Sequence, residues 1–145
     1  MRPWLRNIPL PQPHLIALGV GVGLGVLTGW VLRLPSWLWL VDLLLVAAGL
    51  ALIAWATWAS ARTHLANPDR LVTTGPYAMG RNPMYVGWTL AYVGIALTLA
   101  SVWLVLFLPA VLVATHLTVR HEEDRLRARF GSAYTAYAEA VRRYV

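Results

Sequence analysis

Four long apolar runs constrain this 145-residue chain more than any other feature of its sequence. The runs cover residues 15–32, 37–60, 84–100 and 102–119, and each is long enough, as a helix, to cross a hydrocarbon core of roughly 30 Å. Within lipid a helix satisfies its own backbone hydrogen bonds, which an open strand edge does not. The sequence therefore predicts an all-α integral membrane protein of about four transmembrane helices.

Composition supports this class and excludes others. The chain is 59% hydrophobic and 12% charged, more apolar than one soluble domain of this size can bury. It has no cysteine, and its four histidines are scattered, so we expect no metal site. Its basic residues lie in a few short segments and form no continuous stripe, so we expect no nucleic acid partner. We predict a single membrane domain over residues 1–145.

The positions of the twelve arginines predict the orientation of the helices. In a four-helix zigzag, Arg33 falls on one side of the membrane and the other eleven fall on the opposite side. By the positive-inside rule both termini and the loop 61–83 are cytoplasmic. We expect the inner membrane of a bacterium or an archaeon.

Glycines in the first run favour close helix packing. Gly21, Gly25 and Gly29 share one helix face at four-residue spacing. A dinucleotide-binding loop would need a preceding strand and a different glycine spacing. We therefore expect a packing seam here.

Two polar segments are brought to the same face by this topology. The loop 61–83 is rich in turn formers, and Asn82 with Pro83 predicts an N-cap and first helical residue. The segment 120–143 has helical apolar periodicity and predicts one amphipathic helix whose arginines, such as Arg143, are solvated. Glu122 and Glu123 lie where the chain leaves the membrane, and a carboxylate there suits a cationic ligand.

The same two segments carry a family resemblance. The run GPYAMGRNPMYVGW, then an apolar hairpin, then EEDRLRARFGSAYTAYAEAVRR resembles the superfamily of isoprenylcysteine carboxyl methyltransferases and phospholipid methyltransferases, over about residues 69–143. This resemblance implies a methyltransferase that binds S-adenosylmethionine without a Rossmann fold. It also implies a lipid-like substrate that enters from the bilayer.

Site residues follow from the resemblance by position. The implied cofactor contacts are Asp69, Arg70, Leu71, Val72, Tyr77, Asn82, Pro83, Met84, Tyr85 and Glu122. Asn82 replaces a histidine of the carboxyl methyltransferases, and Thr118 replaces an arginine near their substrate carboxylate. Both departures favour a phospholipid amine such as phosphatidylethanolamine. A carboxylate acceptor would need another cation, and Arg62 and Arg120 are the predicted substrate contacts in that case.

Other interpretations stay open at this point. The chain could be a carboxyl O-methyltransferase of the isoprenylcysteine type, or a non-catalytic membrane scaffold that keeps the fold. A nicotinamide-dependent membrane reductase is disfavoured because no dinucleotide fingerprint is present. The sequence names no catalytic base, although His64, His116 and His121 are candidates. It leaves the oligomeric state open.

Overall fold

The computed structural model describes residues 11–61 and 68–144, and within these ranges the chain is all-α as predicted. The only strand-like pairing in the described part is a single bridge between Val31 and Ser101. A 3-10 turn, Gly75–Ala78, precedes the third helix. The helices are α1 (Gln12–Thr28), α2 (Leu38–Ser60), α3 (Pro83–Thr98), α4 (Val102–Phe130) and α5 (Ser132–Ala140).

Two of these helices, α2 and α4, are long and apolar enough to cross a membrane. Their apolar side chains point largely outward: Trp58 on α2, for example, is 78% exposed. In α4 the apolar part covers 102–119, and the charged part from Arg120 to Phe130 extends beyond it. The helix α1 is a shorter apolar helix of 17 residues, and α3 has 16 residues. The count of four spans stays a prediction.

The helix α3 is the centre of the molecule, and half of its 16 residues are buried. It packs against α2 with backbone touching backbone. A Cβ at Gly49 would lie 2.5 Å from the carbonyl oxygen of Gly87, and a Cβ at Gly94 would lie 2.6 Å from Val46 Cγ2. These glycines therefore allow the close approach that holds the start of α3 in place.

The predicted glycine seam on α1 is present in part, and it faces α4. A Cβ at Gly21 would lie 2.5 Å from Leu104 Cδ2, and one at Gly25 would lie 3.7 Å from Ser101 Oγ. Gly29 has a different task, because it ends α1 with a left-handed φ of 68°. A glycine is favoured there since it lacks the Cβ that makes this conformation costly.

The prediction of one amphipathic helix over 120–143 is wrong. The helix α4 runs without a break from the apolar region to Phe130, and Gly131, with φ at 54°, ends it. The short helix α5 follows, and the chain then passes back over the loop before α3. There the amide of Arg81 donates to the carbonyl of Arg142 over 2.9 Å. This return of the C-terminal segment, residues 141–144, builds one wall of the site.

Candidate functional site

The charged end of α4 meets the first turn of α3 and the C-terminal segment. Glu123 is 4% exposed at this junction. Its carboxylate accepts hydrogen bonds from Arg81 Nε at 3.1 Å, Asn82 Nδ2 at 3.1 Å and Arg143 Nε at 3.0 Å. Burial alone would raise the pKa of Glu123, but these donors and the positive charges lower it below its ordinary value. Glu123 is therefore an ionised structural centre.

Arg81 links this centre to α5. Its Nη1 donates to the carbonyl oxygens of Ala138 at 2.6 Å and Val141 at 2.8 Å, two acceptors at the C-terminal end of α5. Its side chain is 10% exposed, so the guanidinium depends on these acceptors and on Glu123 in place of water. Arg81 thus fixes the C-terminal segment against α3.

Glu122, the neighbouring carboxylate, has a different environment. It is half-buried and accepts a hydrogen bond from Tyr85 Oη at 2.9 Å. Burial raises the pKa of Glu122, and the Tyr85 hydrogen bond and the positive charge of Arg125 oppose this rise without cancelling it. Its charge is therefore less well compensated than that of Glu123, and a cationic ligand beside it would be favoured.

A cavity of about 360 Å³ lies between α3 and α4 on the other side of Tyr85. Its lining residues are Tyr85, Val86, Thr89, Leu90, Leu112, Thr115, His116 and Tyr144. Thr115 Oγ1 is buried there without a hydrogen-bond partner. His116 Nδ1 lies 2.9 Å from Tyr144 Oη. The cavity is therefore mainly apolar, with a few polar atoms at defined positions.

Tyr77 stands at the 3-10 turn of the loop. Its carbonyl oxygen accepts a hydrogen bond from Tyr137 Oη at 2.6 Å, which ties the turn to α5. Burial raises the pKa of Tyr77 to about 12, so the phenol stays protonated at neutral pH. Gly75, with φ at 62°, places this turn against Trp55 of α2.

Of the predicted cofactor residues, the structure brings Tyr85 and Glu122 into direct contact. Asn82 does precede α3 and Pro83 is its first residue, but the Asn82 side chain makes no capping bond. Its amide donates instead to Glu123 and to the carbonyl of Arg143, because a buried carboxylate is the stronger acceptor.

The remaining predicted residues are more dispersed. Pro83 and Met84 are buried in the first turn of α3. In the loop, Asp69 and Arg70 are exposed, and Leu71 and Val72 are half-buried. Their contact with a cofactor stays a prediction. Arg120 is exposed on α4, whereas Arg62 and His64 lie outside the described residues.

Sequence reasoning missed the tertiary roles of three residues. Arg143 was expected to be solvated, yet it bonds the buried Glu123. Arg81 and Tyr144 were not singled out as partners of the α4 end. A useful signal was the adjacency of two carboxylates, since two such charges at a helix exit need separate compensation.

Comparison with known proteins gives one finding. A family model described as phospholipid methyltransferase matches residues 37–133. The match extends from the start of α2 into α5 and includes Tyr85, both carboxylates and most of the cavity lining. The curated proteins and the solved structures gave no match.

Proposed function

Because this chain belongs to the phospholipid methyltransferase family, we propose that it transfers the methyl group of S-adenosylmethionine to a lipid amine such as phosphatidylethanolamine. The observation that carries the proposal is the Tyr85–Glu122 pair, a partly buried carboxylate held by the phenol of a residue that also lines an apolar cavity. A membrane methyltransferase needs both a counter-charge for a cationic donor and an apolar route for its acceptor.

The residues present fit the proposed cofactor. S-adenosylmethionine supplies an electrophilic methyl group on a sulfonium and carries a further positive charge on its amino group. The elevated pKa of Glu122 reflects a charge that burial disfavours, and a neighbouring cation stabilises that charge. Tyr85 orients the carboxylate through its hydroxyl, and its ring offers a face to positive charge. Glu123 and Arg81 hold the surrounding backbone in place.

The surroundings of Thr118 support an amine acceptor over a carboxylate. Thr118 Oγ1 donates to the carbonyl of Ala114 on its own helix at 2.9 Å, so this position offers no cation. Arg120, two residues further, is exposed. A carboxylate would need a positive partner within the site, whereas an amine does not. We therefore favour N-methylation.

The cofactor test is calorimetric titration of S-adenosylmethionine into the detergent-solubilised protein. Glu122→Gln should weaken binding about 10- to 150-fold, because it removes a charge-assisted hydrogen bond worth about 1.5–3 kcal/mol. The matched control is Asp124→Asn, since Asp124 is an exposed carboxylate two positions further along α4. Absence of binding by the wild type at millimolar cofactor contradicts the proposal.

The acceptor test uses cofactor labelled in its methyl group. The protein is incubated with phosphatidylethanolamine or with a prenylated cysteine analogue, and the product is treated with mild base. Methyl esters hydrolyse and release volatile methanol, whereas N-methyl groups stay on the head group. Label recovered as methanol refutes the amine assignment.

The orientation, with both termini cytoplasmic, has its own test. Single cysteines are placed in this cysteine-free chain at Thr73 and Ser36, two exposed residues at opposite ends of the helices. An impermeant maleimide applied to intact cells should label position 36 and leave position 73 unlabelled. The reverse pattern overturns the orientation.

A further inference from the structure

The cavity between α3 and α4 holds a histidine in a position suited to proton transfer. His116 lies in the last turns of the apolar part of α4, and its ring lines the cavity. Among the described residues that line this cavity, none has a permanent charge, and His116 is the only one whose ordinary pKa is near neutrality. This makes it the group best able to exchange a proton there.

Tyr144 holds the imidazole from the opposite wall. The phenol oxygen lies 2.9 Å from His116 Nδ1, and the rings are 6.1 Å apart between centroids. When Nδ1 carries the hydrogen it donates to the phenol oxygen, and the basic lone pair is then on Nε2. The Tyr144 backbone is itself fixed, because it lies against Gly80 so closely that a Cβ there would collide with its carbonyl oxygen.

The cavity lining includes one residue bonded to the proposed cofactor carboxylate and one residue exposed on the outer surface of α4. Tyr85 contributes one wall and bonds Glu122. Leu112 contributes another part of the lining and is 46% exposed on the outside of α4. Thr115, another lining residue, has a buried hydroxyl without a hydrogen-bond partner. An amphiphilic amine therefore fits this space with its tail toward Leu112.

We propose that this cavity binds the acceptor's head group and that His116 is the general base for methyl transfer, with Tyr144 as its positioning residue. The inference rests on the proposed function and adds the acceptor site and the proton path to it. A lipid amine is an ammonium ion at neutral pH and has no free electron pair with which to attack. It must lose a proton before it can react.

The proposed step balances in protons and electrons. His116 Nε2 takes one proton from the ammonium group, which becomes a neutral amine. The nitrogen lone pair then forms a bond to the methyl carbon, and the carbon–sulfur bond breaks with its electron pair going to sulfur. The products are a methylated ammonium and a neutral thioether, and the imidazolium later returns its proton to water.

The interpretation of a pH profile depends on the titratable and charged groups around His116. Tyr85 faces the cavity from α3 and Tyr144 faces it from the C-terminal segment. The charged groups just beyond them are Glu122 and Arg125 beside Tyr85. Beside Tyr144 they are Arg143 and Glu123, which form an ion pair. A profile must therefore be compared between variants that leave these four charged residues unchanged.

The test measures kcat and KM for phosphatidylethanolamine in mixed micelles from pH 6 to pH 10. Wild-type kcat should fall as the pH is lowered, because a protonated imidazole cannot accept the ammonium proton. His116→Gln should lower kcat at pH 7 by about 100-fold or more, and its activity should recover only as the amine loses its proton unaided. Its affinity for S-adenosylmethionine should stay within twofold of the wild type, because Glu122 is intact.

Three controls make the result specific. His121→Gln changes an exposed histidine five residues away and should keep the wild-type profile. Tyr144→Phe should lower kcat more than it raises KM. A phosphatidylethanolamine analogue whose amine is already unprotonated at pH 7 should be methylated at similar rates by the wild type and by His116→Gln.

The possible failures are distinguishable. If the wild type binds no S-adenosylmethionine and methylates no amine, the proposed function fails and this inference falls with it. If the wild type is active and His116→Gln matches it at every pH, the base assignment alone is overturned. A loss of activity with the unprotonated analogue equal to that with the natural lipid also overturns it, because the defect is then unrelated to the proton.

Discussion

Removal of the charge on Glu123 should destabilise the fold more than removal of either neighbouring carboxylate. In Glu123→Gln, Arg81 stays buried with its side chain 10% exposed and loses its counter-ion. Loss of one partner of a buried ion pair costs about 3–5 kcal/mol. The side chain of Arg143 is 36% exposed, so the loss of its ion pair with Glu123 costs closer to the ~0–1 kcal/mol of a surface pair. Glutamine keeps one acceptor oxygen, so we expect about 3 kcal/mol in total.

Thermal unfolding of the detergent-solubilised protein, followed by tryptophan fluorescence, measures this effect. A loss of about 3 kcal/mol corresponds to a Tm lower by roughly 6–12 °C on the scale of soluble domains of this size. Glu122→Gln and Asp124→Asn are matched controls on adjacent positions and should each shift Tm by much less. A Tm of Glu123→Gln equal to that of Asp124→Asn would refute the reasoning.

The pH dependence of stability tests whether Glu123 is ionised in the folded protein. Glu123 has a pKa below its ordinary 4.5 in the folded protein, so its stabilisation is complete above pH 4.5 and disappears as the pH falls through the folded value. The difference in Tm between the wild type and Glu123→Gln should therefore be constant near neutrality and shrink on acidification. A difference that stays constant down to pH 3 contradicts the assigned ionisation.

Further substitutions test the packing around the site. Gly80→Ala should abolish cofactor binding, because its Cβ would collide with the carbonyl of Tyr144 and displace the C-terminal segment; calorimetry measures this. Gly49→Ala should cost about 1–3 kcal/mol through overpacking between α2 and α3, whereas Gly23→Ala, with no atom within 4 Å of its Cβ, should not lower Tm. Tyr137→Phe should cost about 1 kcal/mol by loss of its hydrogen bond to the loop, and unchanged Tm would contradict this.

The sequence by itself determined the class of the protein. Apolar runs of helical length show locally which segments are helices, and the Gly21 seam follows from four-residue spacing along one helix. The pairing of the Tyr85 and Glu122 segments came from their likeness to a family. These features depend on residues close together in the chain or on a specific pattern of letters.

Only the tertiary structure decided which groups compensate the charges of Glu122 and Glu123. Glu123 is joined to Arg81 and Arg143, which are 42 and 20 residues away in sequence, and no local pattern encodes such contacts. They depend on the close approach at Gly49 and on the turn at Gly131, which returns the C-terminal segment over α3. A charge is compensated by whatever the fold brings within hydrogen-bond distance, so its partner is a property of packing and not of sequence spacing.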